Sequence, residues 1–128
     1  MLGMAVFVFG YSNFGTSEGE FRNLVNPWRH LHDWKAAISH VRKFERVDGS
    51  RRALRGTSFS GGHVIVTAAW QNGIRAAVAQ VPFVDGIATT MQFSISYQLE
   101  GIYHGIRDLL SMVKGIGPPA DLLVKYLN

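Results

Sequence analysis

The stretch Leu54-Arg55-Gly56-Thr57-Ser58-Phe59-Ser60-Gly61-Gly62-His63 decides how this chain is read, because it sets a serine among small residues where an apolar strand should give way to a helix. A serine on so sharp a turn sits in a strained backbone conformation, and the residues two before it and two or three after it must be small to avoid collision. Gly56, Ser60, Gly61 and Gly62 meet that demand. The turn would lift the Ser58 hydroxyl clear of the sheet. The helix expected from Ser60 to about Gln71 would aim its N-terminal amides at developing negative charge. Ser58 is therefore the candidate nucleophile, and the Phe59 N–H a candidate oxyanion donor. A flexible glycine-rich loop would carry the same string, so the flanks decide. Arg51 to Gly56 reads as a short strand, Val64 to Ala69 as apolar helix, and Ile74 to Val81 as a buried strand.

Upstream, Ala5 to Phe9 is an apolar run rich in Val and Phe, expected as a parallel strand covered on both faces. Gly10 to Gly19 reads as a loop. Asn26 then offers an N-cap with Pro27 at the first helical position, and Trp28, Leu31, Trp34, Ile38 and Val41 recur at helical spacing to about Arg42. Val47-Asp48-Gly49-Ser50 is a turn, and Asn72-Gly73 a helix stop. Strand, helix, strand, helix, strand implies an α/β fold of parallel strands with crossover helices and sites at the strands' carboxyl ends. Beyond Gly86 no clean period holds until Leu99, Ile102, Ile106, Leu109, Leu110 and Val113 mark an amphipathic helix. Pro118 and Pro119 then start a short helix to Leu127. The division expected is a core segment over 1–86 and a helical cap or insertion over 87–128.

Composition excludes several chemistries. With 128 residues, 47% hydrophobic and 17% charged, the chain can bury a core. Having no cysteine, it has no disulfide, thiolate zinc site or thiol nucleophile. The net charge of +4 gathers at Arg42, Lys43, Arg46, Arg51, Arg52 and Arg55. Only Phe44 interleaves with that charge, so it reads as a solvated loop and no nucleic-acid partner is expected, an acidic ligand being the weaker alternative. Met1 to Phe9 lacks a basic leader and is too short to span a bilayer; no membrane partner is expected, and the compartment expected is the cytoplasm.

No metal or cofactor is expected either. Of His30, His32 and Asp33, only His30 and Asp33 share a helical face. Gly115-Ile116-Gly117-Pro118-Pro119-Ala120 matches a dinucleotide fingerprint formally, but it follows a helix and its prolines lack the amides that phosphate needs. Trp28, Trp34 and Trp70 read as core or cap-contact residues. Ser58 and His63 do not read as a dyad, since the helix would carry the imidazole away from the turn to pack beside the sheet.

With these elements placed, the chain resembles an internal segment of α/β-hydrolases of the dienelactone-hydrolase and X-prolyl dipeptidyl peptidase-like type. The matching strings are Val6 to Glu20 (VFVFGYSNFGTSEGE), Pro27-Trp28, Asp33-Trp34-Lys35-Ala36-Ala37-Ile38, Val47-Asp48 with Arg51, Gly56 to His63, and Val78 to Gly86. The family commonly reads Asp-Tyr-Arg-Gly where this chain has Gly10-Tyr11-Ser12-Asn13, and carries apolar or aromatic residues at Arg52 and Arg55. The resemblance implies that Ala5–Phe9, Arg51–Gly56 and Ile74–Val81 are the fourth, fifth and sixth strands, the other strands falling upstream of Met1 and beyond Asn128. It implies Asp85 as the catalytic acid, after the sixth strand. His104 alone follows Asp85 among histidines and is expected as a half-exposed helical residue.

The activity implied is hydrolysis of a small-molecule ester or peptide through an acyl-enzyme, with Ser58, Phe59 and Asp85 as site residues, in a chain expected to be incomplete. The alternative is a catalytically inactive hydrolase-derived fragment or interaction module, self-associating through exposed sheet edges.

Overall fold

The computed structural model describes residues 3–113. The expected helix from Pro118 to Leu127 and the Gly115–Ala120 string lie outside the described residues.

The first helix, α1 (Pro27–Val41), starts as its sequence dictates: Asn26 is extended (φ −129°, ψ 106°), its side chain accepts from the Arg29 N–H at 3.1 Å, and Pro27 opens the first turn. The buried face is His30, Trp34 and Ile38, whereas Trp28 stands exposed. A histidine thus takes the place that the apolar period gave to Trp28 and Leu31. Trp70 is exposed too, so of the three tryptophans Trp34 alone belongs to the core.

Strand β1 (Arg52–Thr57), helix α2 (Phe59–Trp70) and strand β2 (Ile74–Gln80) form one parallel crossover unit, each within a residue or two of its expected bounds. Register runs from Ala53 opposite Ala76 to Thr57 opposite Gln80, with one irregularity between Arg52 and Ala53. After α2 the chain turns through Gly73 at φ 79°, where a side chain would also strike the Arg52 guanidinium. α2 packs along both strands and α1 packs against α2. The core between them is Trp34, Ile38, Leu54 and Val64, with Phe9, Tyr11, Ala68 and Ile74 at its margin.

Two expectations are corrected. Ala5–Phe9 is not a strand of the sheet, which among the described residues has only β1 and β2. Among the described residues it makes no ladder with another strand, and strand status depends on such pairing. Its side chains still alternate: Phe7 lies 5.8 Å from His40 and Phe9 lies 5.0 Å edge-on to Trp34, while Val6 and Val8 are exposed. Second, β2 is a largely exposed strand instead of a buried one, being covered by α2 on one face. The two arginines of β1 differ: Arg52 is half-buried, with Nε and Nη1 enclosed and without a hydrogen-bond partner. Arg55 is exposed and bonds Gln80 Oε1 at 3.0 Å, and Arg52 reaches the Asn72 carbonyl at 3.2 Å.

Beyond β2, helix α3 (Gly86–Thr90) fills part of the region that showed no period, and helix α4 (Ile95–Val113) begins earlier than Leu99. Ile95, Leu99, Ile102, Ile106, Leu109 and Leu110 of α4 are all exposed. No helix among the described residues is long and apolar enough to cross a membrane.

Candidate active site

Ser58 occupies the single residue between β1 and α2, at φ 55° and ψ −121°. Such a conformation costs a non-glycine residue about 1–3 kcal/mol, so its surroundings must hold it. All the backbone polar groups of Ser58 are engaged. Its N–H donates to the Gln80 carbonyl at 2.9 Å, and its carbonyl accepts from Phe83 N–H at 2.9 Å and Gly62 N–H at 3.3 Å.

A serine before a helix ordinarily turns its hydroxyl back to cap the first turn. Ser58 makes no such bond, and the residue is exposed. The hydroxyl therefore stands free at the carboxyl end of a parallel strand. Phe59, next in the chain, is the first residue of α2, so its N–H has no intrahelical acceptor and lies at the positive end of the helix dipole.

The glycines around the corner are required by space. A Cβ on Gly56 would stand 2.4 Å from the Ser60 carbonyl oxygen, one on Gly61 3.0 Å from Pro82 Cα, and one on Gly62 2.2 Å from the Phe83 carbonyl oxygen. Strand, corner, helix and the loop after β2 are thus in backbone contact.

Asp85 lies on that loop. Its carboxylate caps α3, accepting from the Ala88 N–H at 2.9 Å, and the residue is exposed. No histidine is set against it among the described residues. His104 faces Glu100 one turn away on α4, at 3.9 Å. Beside the corner, Phe83, Val84, Asp85, Ile87, Thr90 and Met91 line much of an open groove of about 660 Å³. Phe83 joins the two features, since its N–H holds Ser58 and its ring lies 5.7 Å from that of Phe59.

The structure also assembles a cluster that the sequence did not disclose. The Tyr11 hydroxyl accepts from Trp34 Nε1 at 2.9 Å and lies 2.8 Å from Ser60 Oγ and 3.3 Å from His63 Nδ1. His30 stacks on the Tyr11 ring at 4.2 Å and meets His63 edge-on at 5.2 Å, while Phe59 covers His63 at 4.7 Å. His63 is buried and makes no bond to Ser58, so the two form no dyad; its ring packs toward α1, not simply beside the sheet. Burial lowers the pKa of both histidines below the usual imidazole value. For His30 the nearby Asp33 opposes this, and for His63 the charge of His30 adds to it.

Asp33 is not aimed at a metal. Its carboxylate accepts from Ser12 N–H at 2.9 Å and Ser12 Oγ–H at 2.6 Å, and no metal-holding group of three or more His, Cys, Asp or Glu occurs among the described residues. No spacing along one segment signalled this cluster; the indole N–H of Trp34 needs an acceptor once buried, and Tyr11 supplies it from another segment.

A serine at positive φ between a parallel strand and its crossover helix, walled by glycines, is the arrangement of α/β-hydrolase-type proteins. Residues 25–108 match the family model of acetyl xylan esterases (AXE1). The chain belongs to that family, which upholds the hydrolase resemblance.

Among curated relatives, the quorum-quenching protein AidA of Acinetobacter baumannii is 39% identical over 116 residues, 91% of this chain and 38% of that protein. A 31.7 kDa protein of the traX-finO intergenic region of Escherichia coli is 39% identical over 84 residues, 66% of this chain and 29% of that protein. The thiohydrolase aneE of Aspergillus aculeatus is 29% identical over 83 residues, 65% of this chain and 26% of that protein. The chain therefore spans well under half the length of the relatives it matches. No solved structure matches it.

Proposed function

We propose that this chain carries the nucleophile of a serine esterase, with Ser58 attacking the carbonyl carbon of a small ester. One observation carries the reading: the Ser58 hydroxyl is left uncapped on a strained corner that three backbone hydrogen bonds and three close-packed glycines maintain. Strain of this kind persists where the surroundings over-determine it, and it clusters at sites of chemistry.

The steps follow from ester chemistry. Ser58 Oγ forms a bond to the acyl carbon as a general base takes its proton, and the carbonyl electron pair moves onto oxygen. That oxyanion is met by the Phe59 N–H and the start of α2. Collapse expels the alcohol with the proton from the base, and water then repeats the sequence to release the acid. In this reading Asp85 keeps the role of the acid that orients the base, using the carboxylate oxygen that does not cap α3. No base is brought to Ser58 by the described residues, so the uncapped hydroxyl reacts with a strong phosphonylating electrophile, while turnover of an ester requires a base supplied from elsewhere. The apolar wall of Phe83, Val84, Ile87 and Met91 would receive the acyl group, with α3 and α4 as the cap. The acetyl xylan esterase family and the name of the thiohydrolase relative both favour acyl transfer from an ester or thioester over peptide hydrolysis.

The test is covalent labelling with a fluorophosphonate, followed by peptide mapping. Folded protein should take the label at Ser58, and heat-denatured protein and the Ser58→Ala variant should not. Folded protein that stays unlabelled, or is labelled equally after denaturation, would end the proposal.

A further inference from the structure

We infer that Tyr11 is a positioning residue for the nucleophile, its hydroxyl tying the first turn of α2 to α1 and so fixing the direction in which the Ser58–Phe59 corner faces the substrate. This rests on the esterase reading of Ser58.

The donors and acceptors leave little freedom. An indole N–H only donates, so the bond from Trp34 Nε1 obliges the Tyr11 oxygen to accept. The phenol has one proton to give, and two neighbours are in reach, Ser60 Oγ at 2.8 Å and His63 Nδ1 at 3.3 Å. Two arrangements make all three contacts: Ser60 donates to Tyr11 and Tyr11 to an unprotonated His63 Nδ1, or a protonated His63 Nδ1 donates to Tyr11 and Tyr11 donates to Ser60. In both, the Tyr11 oxygen bonds Ser60, and His63 Nε2 is buried without a partner.

The position of Ser60 gives the tie its effect. Ser60 is the second residue of α2, directly after the oxyanion donor Phe59. Its carbonyl lies against Gly56 of β1, so any rotation of this turn carries the Phe59 amide and the Ser58 side chain with it. Trp34, at the other end of the tie, is buried in the core of α1. The hydroxyl of Tyr11 thus refers the nucleophile's orientation to the buried core, without touching Ser58.

The experiment measures fluorophosphonate inactivation at saturating probe for the full chain and for Tyr11→Phe, Ser60→Ala and the double variant. Each single variant should lower the limiting inactivation rate roughly three- to tenfold, the worth of one hydrogen bond, with half-saturation by the probe unchanged. The double variant should be no slower than either single one, because both remove the same tie. Singles that react at the parental rate, or losses that multiply in the double variant, would overturn the inference. If Tyr11→Phe fails to fold because Trp34 loses its acceptor, Ser60→Ala keeps the Trp34–Tyr11 bond and decides alone.

Nitrogen-15 spectra of His63 give a readout that needs no reaction. The Nδ1 resonance of the parent should move in Tyr11→Phe, and an Nδ1 signal identical in the two would refute the contact of Tyr11 with His63. A parent that takes no label overturns the esterase reading. A labelled parent with unaltered variants overturns only the role of Tyr11.

Discussion

Replacing Gly56 by alanine adds one methyl group at the most crowded point of the structure. Its carbon would lie 2.4 Å from the Ser60 carbonyl oxygen, 2.7 Å from the Ser60 carbonyl carbon and 2.8 Å from Val64 Cγ2. Two of those atoms are backbone in the first turn of α2, which the bond from Gly62 N–H to the Ser58 carbonyl holds in place, and Val64 is fully buried. None can withdraw by a rotamer change, so α2 must move off β1. Overpacking of this kind costs about 1–3 kcal/mol, and the backbone character of the clash argues for the upper end. Alanine's smaller unfolded-state entropy returns about 0.4–1 kcal/mol, leaving a net loss of roughly 2 kcal/mol. Followed by circular dichroism in urea, with a slope of about 2 kcal/mol per molar, this lowers the midpoint by roughly 1 M. Gly105→Ala on α4 is the control, for nothing lies within 4 Å of its added carbon and alanine suits a helix better than glycine. Its midpoint should hold or rise. A Gly56→Ala midpoint equal to the parent's would refute the argument that glycine is there for space.

Other outcomes follow from the same geometry. Ser58→Gly should stabilise the fold by about 1 kcal/mol by relieving the positive φ while abolishing labelling, and a destabilised variant would contradict the strain inferred from φ 55°. The folded-state pKa values of His30 and His63 lie below 6.5, so the unfolded chain binds more protons as pH falls past 6.5. Stability should be full above pH 6.5 and decline below it, toward the lowered values, and a flat profile in urea titrations across that window would refute the assignment. Neither nitrogen of His30 has a hydrogen-bond partner, so His30→Phe should keep the stacking on Tyr11 and make the acid decline shallower. The apolar side chains along α4 and the open edges of the two-stranded sheet should make the chain self-associate in light scattering, and Leu99→Lys with Ile106→Lys should reduce the assembled mass.

Local signals were the legible ones. Asn26-Pro27 announced the start of α1, Gly73 marked the turn out of α2, and the small residues at 56 and 60–62 declared the corner, because each meets a steric demand of its own few neighbours. What depends on a partner elsewhere was not legible. Ala5–Phe9 has strand composition, yet no ladder forms without a neighbouring strand. Ile74 to Val81 has the apolarity of a buried strand, yet only one face is covered. The meeting of Tyr11, His30, Trp34, Ser60 and His63 joins three segments, and no spacing along one of them encodes it. Asp85 illustrates a competition between readings, since an aspartate before a short helix caps it as readily as it serves a site.

The three bonds that pin Ser58 come from Gly62, Gln80 and Phe83, and two of those partners follow it by more than twenty residues. Synthesis runs from the N-terminus, so the ribosome delivers the hydroxyl long before the atoms that bend its backbone exist to be used. Until Gln80 and Phe83 have emerged, two of the three bonds that hold position 58 cannot form. The strained corner is completed late, as a product of the finished unit.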